Sequence, residues 1–484
     1  MCISFCVAIS EKLAVPPEDF GQLAQLGADF VAEYYRSLAG RPVFVPTTAE
    51  AVRKLVEEPL PQSGTPFPEL LAMIRDVVSR YSRHSAHPRL FGYVCSPGAP
   101  ITAVSHMIAA ALNINATCWR SAPSATEMEH VVINWMKEML GYPAGAGGLL
   151  VSGGSMANFA GLAAARSAKA PGNVVRDGMA ASPRMCVYVS EEGHFSIIKA
   201  AGMLGIGESN VRQIKTDSQL RIDLADLERH VERDRAAGYL PFCVVANAGT
   251  TSTGAFDPLG DLADFARRHN LWLHVDAAYG GFAALAHSAR HFFARIAEAD
   301  SVALDPHKWL YGPMGCGCVL YKDPETARAA FSHDADYIRR IGLVRDEAFA
   351  FWDYGPELSR PFRALDLWVL VKYVGAAALA EAIESNIACA KHLEALVNAS
   401  DDFEMLAPVG LSIFCFRHKP RGFAGDLDAH NEQALVRLQR DGGSYLSNAR
   451  IAGRFALRGC VLNYRTTLED MQTLLEDVWR AAAH

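Results

Sequence analysis

The chain has 484 residues, of which 50% are hydrophobic and 20% are charged, a composition typical of a globular protein with more than one domain. Its formal net charge of −7 gives no electrostatic reason to bind nucleic acid or an anionic membrane surface. The sequence contains no run of about 18 apolar residues, the length that a membrane-spanning helix needs. Its eleven cysteines lack zinc-type spacing. We therefore expect a cytoplasmic protein without a metal site.

Residues 1–85 are predicted to form a helical N-terminal domain. The first nine residues are apolar but lack a basic leader, so they do not predict a signal peptide. Amphipathic patterns predict helices from Phe20 to Tyr35, from Ala49 to Glu57 and from Glu69 to Tyr81, with proline-rich turns between them. Three such helices have little core of their own. We therefore expect this domain to pack on another surface, such as a second subunit.

From about residue 145 the pattern alternates between strands and helices. Apolar runs typical of buried strands lie at Gly148–Val151, Met185–Val189, Phe242–Ala246, Leu271–Val275, Ser301–Leu304 and Cys316–Tyr321. Helical patterns between them lie at Asn158–Lys169, Leu224–Ala237 and Leu259–His269. This alternation predicts an α/β domain over residues 86–360, with a mostly parallel sheet flanked by helices.

The last part of the chain, residues 361–484, is predicted to be a separate α+β domain. A long helical pattern runs from Leu365 to Leu396. Strand-like runs follow at Leu411–Arg417 and Phe455–Val461, and a helix is predicted at Leu468–Ala482.

Polar side chains follow the predicted strands of the α/β domain, at the edge where ligands bind in such sheets. They are Gly154 and Ser155 after the first strand, His194 after the second, Asn247 after the third, Asp276 and Ala278 after the fourth, and His307 and Lys308 after the fifth. Each of these residues could also have a purely structural role. Ser155 and Asp276 could each cap a helix, and Lys308 could be a surface lysine. Five such strand endings in one sheet favour a cofactor site.

Asp276 and Lys308 predict the kind of cofactor. A pyridoxal-phosphate (PLP) enzyme needs a lysine that forms a Schiff base with the aldehyde, and a carboxylate that keeps the pyridine nitrogen protonated. A lysine beyond one strand and an aspartate ending the strand before it match that requirement.

Five stretches together resemble a known family, the group II PLP-dependent decarboxylases, and especially the aromatic-L-amino-acid decarboxylases. They are His87–Tyr93, Ser121–Glu127, the turn at 152–158, His274–Tyr279 and Asp305–Trp309. The resemblance implies the aspartate aminotransferase-like fold (fold type I), pyridoxal 5'-phosphate as cofactor, and a homodimer with its active site at the interface.

The resemblance also implies a role for individual residues. Lys308 attaches the cofactor, Asp276 pairs with the pyridinium, His194 stacks on the ring and Ala278 packs on the opposite face. Further cofactor contacts are implied for Gly154, Ser155, Asn247, Ser301 and His307. Substrate contacts are implied for Ser96, Tyr93 and Ser359. Tyr337 matches the loop tyrosine that returns a proton to the substrate carbon after carbon dioxide leaves.

The implied reaction is decarboxylation of an L-amino acid, most simply an aromatic one such as tyrosine, dihydroxyphenylalanine, tryptophan or phenylalanine. Arg89 and Arg120 keep open an acidic substrate, because bidentate arginine suits a carboxylate. Aldehyde synthesis and carbon–carbon lyase chemistry on the same fold are further alternatives, although Tyr337 and His194 favour simple decarboxylation.

Other classes of protein are disfavoured. A cofactor-binding protein without turnover would need a defect in the lysine, the aspartate or the tyrosine, and the sequence has none. The glycines at 145–148 do not match the G-x-G-x-x-G pattern of a dinucleotide-binding enzyme. His84 and His87 are a bare pair beside a proline, which does not predict a zinc site.

Overall fold

The computed structural model describes residues 13–333 and 347–483. Within these ranges, the longest apolar helix falls short of what crossing a membrane requires. The described chain begins with three helices: α1 (Pro17–Ser37), α2 (Ala49–Val56) and α3 (Phe67–Met73). A π-helical segment, Ile74–Ser79, continues from α3. None of the residues in these three helices is buried, so they add almost nothing to the core of their own chain.

A seven-stranded sheet forms the centre of the molecule. Its strands are β1 (Gly147–Val151), β2 (Met185–Ser190), β3 (Val211–Ile214), β4 (Leu240–Asn247), β5 (Trp272–Ala277), β6 (Ser301–Leu304) and β7 (Gly317–Tyr321). They lie in the order β1-β7-β6-β5-β4-β2-β3. Strands β2 to β6 pair in parallel, whereas β7 runs antiparallel to both β1 and β6. The predicted mostly parallel sheet is confirmed.

Helices cover both faces of this sheet, as its buried strands require. They are α4 (Pro100–Leu112), α5 (Pro123–Leu140), α6 (Gly154–Lys169), α7 (Val174–Asp177), α8 (Ser196–Met203), α9 (Leu224–Ala236), α10 (Leu259–His269) and α11 (Pro324–Phe331). Every residue of β2, β5, β6 and β7 is buried, which explains their near-continuous apolar sequences. The alanine-rich face of α6 packs across several of these strands and forms one core cluster with them.

The C-terminal part forms a second sheet with its own helices. Its helices are α12 (Arg363–Ala399), α13 (Leu427–Asp441) and α14 (Leu468–Ala482). Its strands are β8 (Phe403–Met405), β9 (Ile413–His418), β10 (Ser447–Ile451) and β11 (Arg454–Cys460), in the order β10-β11-β9-β8. Helix α14 starts with a capping box in which Thr467 and Asp470 satisfy each other's backbone amides. The predicted helix and strand content of this region is confirmed.

Candidate active site

A cavity of about 400 Å³ opens at the carboxyl ends of the parallel strands. Its lining comes from the loops after β1, β2, β4, β5 and β6, the five strand endings singled out in the sequence. The lining residues that the sequence predicted are Gly154, Ser155, His194, Asn247, Asp276, Ala278, His307 and Lys308. A cavity of this size and position is typical of a cofactor site in an α/β fold.

Lys308 lies at one side of this cavity with an acidic neighbour. Its Nζ is 2.9 Å from Oδ2 of Asp305, one helical turn earlier in the chain. His307 turns the other way, and its Nδ1 donates to the backbone carbonyl of Cys316 at 2.8 Å. Burial lowers the pKa of His307 below its usual value, although the nearby Asp305 carboxylate acts in the opposite direction. A neutral His307 with Nδ1 protonated leaves Nε2 as a hydrogen-bond acceptor.

Asp276 is the penultimate residue of β5 and presents a buried carboxylate to the cavity. Its Oδ1 accepts the backbone N–H of Ala278 at 3.1 Å, and its Oδ2 accepts Nδ2 of Asn158 at 2.8 Å. Asn158 lies one turn into α6 and is 1% exposed. The carboxylate is therefore oriented by its own loop and by the helix that covers the sheet.

Asn158 is the end of a chain of buried hydrogen bonds below the cavity. The indole of Trp272 donates to Oγ of Ser301 at 2.8 Å, and Ser301 is 2.7 Å from Nδ1 of His274. Nε2 of His274 is 2.9 Å from Oδ1 of Asn158. An indole N–H only donates and an amide oxygen only accepts, so a neutral His274 ring fits between them in only one way. Ser301 donates to Nδ1, and the Nε2–H of His274 donates to Asn158.

Burial lowers the pKa of His274 to about 4, which fits the neutral ring that this chain of hydrogen bonds requires. Asn158 then turns both N–H groups of its amide away from His274. One goes to Asp276 and the other to Oγ of Ser196 at 3.0 Å. All hydrogen bonds from Trp272 to Asp276 therefore run in one direction, with each residue donating to the next. The three residues between them are Ser301, His274 and Asn158.

The second branch from Asn158 orients His194. Oγ of Ser196 is 2.8 Å from Nδ1 of His194, and the Ser196 backbone N–H approaches the same nitrogen at 3.3 Å. Nδ1 therefore accepts, and the proton of the neutral ring lies on Nε2. Burial lowers the pKa of His194; the charge of Asp276 raises it by a smaller amount, and that of Lys308 lowers it further. Asp276 and His194 are held by the same amide group.

Two glycines let α6 approach the site closely. A Cβ on Gly154 would lie 2.6 Å from Oδ2 of Asp305 and 2.8 Å from Cβ of Ala278. A Cβ on Gly161 would lie 2.5 Å from the His274 ring. Any side chain at these positions would push the helix away from the cavity and from His274. The backbone amides at the N-terminus of α6 border the cavity, an arrangement that suits a phosphate group.

Ser301 is a correction to the sequence-based expectation. It was expected to contact the cofactor phosphate, but it stands at the start of β6, whereas the cavity lies beyond the end of that strand. Its side chain is fully buried, does not line the cavity and is taken up by Trp272 and His274. Its placement fits a role in orienting Asp276 through His274 and Asn158.

The three expected substrate residues lie outside this cavity lining. Ser96 is 7% exposed, and its Oγ accepts the backbone N–H of Gly98 at 3.4 Å. Tyr93 is half exposed, and the guanidinium of Arg83 lies 4.3 Å from the centre of its ring. Ser359 is exposed. Tyr337 lies outside the described residues.

The sequence reasoning missed three residues of the site. Asn158 and His274 are polar residues within apolar segments, and a buried polar group in such a segment needs a partner. That signal could have paired them. Asp305 is only 2% exposed, and its Oδ1 has no hydrogen-bond partner among the described residues. A buried carboxylate oxygen without a partner, beside a helix N-terminus, indicates that the cavity is built for a ligand.

Fold and cavity together define an α/β enzyme with a cofactor site that suits a flat phosphorylated ring. The model of the pyridoxal-dependent decarboxylase conserved domain matches residues 49–419. The chain therefore belongs to the pyridoxal-dependent decarboxylase family, and its cofactor is pyridoxal 5'-phosphate. This confirms the expected family, fold type and reaction class, a PLP-dependent amino acid decarboxylase.

Three similar proteins illustrate the range of the family. An aromatic-L-amino-acid decarboxylase of Bacillus atrophaeus is 34% identical, over 96% of this chain and 96% of the relative. A phenylacetaldehyde synthase of Petunia hybrida is 29% identical, over 94% of this chain and 92% of the relative. The crystal structure of Oryza sativa TDC with PLP and tryptamine is 29% identical, with a TM-score of 0.90 over 97% of this chain and 98% of that chain.

Proposed function

We propose that this protein converts an aromatic L-amino acid to its amine and carbon dioxide. The observation that carries the proposal is the joint presence of Lys308 and Asp276 in the lining of one cavity at the strand ends. The Bacillus relative, named for aromatic L-amino acids and similar over nearly the whole chain, supports the substrate class. An aldehyde-forming reaction remains the alternative that the Petunia relative raises.

Pyridoxal phosphate, when bound, supplies an electron sink for the electron pair left when the carboxylate departs. Lys308 carries the amine that attaches the cofactor, and the carboxylate of Asp276 holds the proton on the pyridine nitrogen. Asn158, at the end of the Trp272–Ser301–His274–Asn158 chain, donates to one oxygen of this carboxylate. The backbone N–H of Ala278 donates to the other oxygen, so the carboxylate is held in place. The site thus needs no rearrangement of its acid, a form of electrostatic preorganisation.

The remaining cavity residues are assigned to binding. His194, whose ring is held through Ser196, would contact one face of the bound cofactor and Ala278 the other. Gly154, Ser155 and His307 hold the phosphate, and Asn247 adds a polar wall. The side-chain amide of Asn247 donates to the buried Asp257 at 2.9 Å, which fixes its orientation. Ser96, Tyr93 and Ser359 are assigned to the substrate side.

The placement of two arginines favours an aromatic over an acidic substrate. Arg89 lines a different cavity, together with Asp441, Asp477 and Arg480. Arg120 is exposed at the surface. Neither guanidinium borders the cavity that contains Lys308, so neither is in position to pair with an acidic side chain there.

Tyr337 is proposed as the acid that delivers a proton to the substrate carbon after carbon dioxide leaves. It lies outside the described residues, so the assignment depends on the sequence resemblance. A tyrosine at this position, together with His194, supports amine formation rather than aldehyde formation.

The proposal includes a homodimer with its active site at the interface. Val104, Met107 and Ile108 of α4 are each about half exposed, and apolar side chains along α1 to α3 are exposed as well. Apolar surface on this scale is typical of a protein–protein interface. Sedimentation analysis of the wild type and of Met107→Glu tests this. A wild-type monomer at micromolar concentration would contradict the dimer.

Two further parts of the proposal concern location and domain limits. The nine cysteines among the described residues are all free thiols, which supports a reducing, cytoplasmic environment.

We set the domains at 1–85, 86–360 and 361–484. A core cluster made mostly of residues around the second sheet, among them Phe414 and Leu474, supports the last boundary.

The test is a panel of amino acids assayed for carbon dioxide release by the purified full-length protein. Tyrosine, dihydroxyphenylalanine, tryptophan and phenylalanine are compared with glutamate and aspartate, and the products are identified as amine or aldehyde. Preferential turnover of an acidic amino acid would defeat the substrate class, and aldehyde with hydrogen peroxide would defeat the reaction. Lys308→Ala should lose both activity and the visible absorption band of the attached cofactor.

A further inference from the structure

Asp305 is a charged residue of the site that the roles above do not use. It is 2% exposed, and its Oδ2 lies 2.9 Å from Nζ of Lys308. Its Oδ1 has no hydrogen-bond partner among the described residues and is 3.7 Å from Nδ1 of His307. The same carboxylate lies close to Gly154, at the N-terminus of α6. Asp305 thus stands between the lysine and the part of the cavity assigned to the phosphate.

This position creates a charge conflict when the cofactor is attached. In the cofactor-free protein, the Lys308 ammonium and the Asp305 carboxylate form a neutral pair. Attachment of the cofactor needs the free amine, so the ammonium must lose a proton. An ionised Asp305 would then lie without its cation beside a phosphate, and like charges at short range repel strongly.

We propose that Asp305 accepts the proton that Lys308 gives up when the cofactor is attached, and keeps it in the loaded enzyme. The N–H bond at Nζ breaks, its electron pair stays on nitrogen, and an O–H bond forms at Oδ2 of Asp305. The pair is neutral before and after the transfer. The inference rests on the attachment of the cofactor to Lys308 proposed above.

Protonation also turns Asp305 into a hydrogen-bond donor. A carboxyl group has one O–H donor, whereas a carboxylate has none. Once Lys308 is attached to the cofactor, the O–H at Oδ2, the oxygen next to Gly154, can donate to a phosphate oxygen, and the repulsion disappears. Oδ1, which has no partner among the described residues of the cofactor-free protein, then belongs to a neutral group, and an unpaired neutral oxygen costs less to bury than a charged one.

The experiment is an infrared difference spectrum of the full-length protein, recorded before and after loading with pyridoxal 5'-phosphate. We expect a new carbonyl stretch of a protonated carboxyl group, which shifts when aspartate is labelled with carbon-13. Asp305→Asn should lack this band. Asp226→Asn is the matched control, because Asp226 is 5% exposed and pairs with Arg229 at 2.8 Å, also three residues away. The control should keep the band.

Two further arms keep the inference testable. Asp305→Glu retains a carboxyl group, so in aspartate-labelled protein its band should lose the isotope shift, even if Asp305→Asn fails to fold. Loading with pyridoxal, which has no phosphate, should still produce the band, because the proton comes from Lys308 and burial alone disfavours an ionised Asp305 that has lost its cation. A band with pyridoxal 5'-phosphate alone would make the phosphate the source and overturn the proposal.

The failure of this inference is distinguishable from that of the proposed function. Borohydride reduction followed by mass spectrometry of the peptide that contains Lys308 reports attachment directly. If the peptide carries no added mass, the role of Lys308 fails. If it carries the mass while wild-type protein shows no protonated carboxyl band, the role of Asp305 alone fails.

Discussion

Replacing Ser301 with alanine tests whether its hydroxyl serves the buried hydrogen-bond chain or contacts the cofactor. In the structure, Oγ of Ser301 accepts from the Trp272 indole and donates to Nδ1 of His274. Alanine leaves the indole N–H of Trp272 and Nδ1 of His274 without a partner, and these residues are only 4% and 0% exposed. A buried polar group left unsatisfied costs about 1 to 3 kcal/mol. We therefore expect Ser301→Ala to lower the free energy of unfolding by about 2 to 6 kcal/mol.

The assay is urea unfolding of the cofactor-free protein, followed by tryptophan fluorescence. Working without cofactor matters, because a phosphate ligand would stabilise only the loaded form. Ser190→Ala is the control: Ser190 is 1% exposed, at the end of β2, and accepts a single backbone N–H, from Glu192 at 3.1 Å. We expect the control to lose less than about 1.5 kcal/mol.

One result would refute this reasoning. If Ser301→Ala unfolds at the same urea concentration as wild type but binds pyridoxal phosphate more weakly, the hydroxyl serves the cofactor and not the hydrogen-bond chain. Hydrogen exchange of the Trp272 indole N–H that is as slow in the variant as in wild type would also show that this N–H does not depend on Ser301.

The remaining predictions concern the acid, the proton donor and pH. Asp276→Asn should keep bound cofactor but lower kcat by roughly 100- to 5,000-fold, since losing one partner of a buried ion pair costs about 3 to 5 kcal/mol; a loss below tenfold in steady-state kinetics would count against the role. Tyr337→Phe should leave cofactor binding intact and slow or divert amine formation, and unchanged amine output by chromatography would assign the proton to another group. Burial lowers the pKa of His274 from 6.5 to about 4, so the unfolded chain binds this proton more readily and about 3 kcal/mol of stability, present above pH 6.5, is lost as pH falls to about 4. Urea unfolding at neutral pH and near pH 4.5 checks this, and His274→Gln should show a smaller loss than wild type.

Much of the sheet could be predicted because its strands are buried on both faces. Ser301–Leu304 was predicted with the bounds it has in the structure, and so were the helices at Leu259–His269 and Leu468–Ala482. Strand β3 was missed because only its last residue, Ile214, is buried, while Arg212 and Gln213 interrupt the apolar pattern. An edge strand of this kind has no continuous apolar signal to read.

The sequence predicts which residues of the candidate site lie at strand ends. It does not predict which side chains form hydrogen bonds with each other. Parallel strands bring their carboxyl ends to one edge, so His194, Asp276 and Lys308 were expected to meet, and they line one cavity. The hydrogen bond between Asn158 and Asp276 joins residues far apart in sequence, and neither residue alone indicates the other. The expected cofactor contact of Ser301 came from the resemblance alone, and it conflicts with the position of this residue at the start of β6, the end of the strand away from the cavity.

The amide of Asn158 serves Asp276 and His194 at once. Each hydrogen bond from Trp272 onward has a fixed donor and a fixed acceptor. Reversing one of these hydrogen bonds would therefore require the neighbouring ones to reverse as well. A substitution at position 158, 274 or 301 that removes a donor or an acceptor therefore alters how the carboxylate of Asp276 is held, even though the lysine and the aspartate are unchanged.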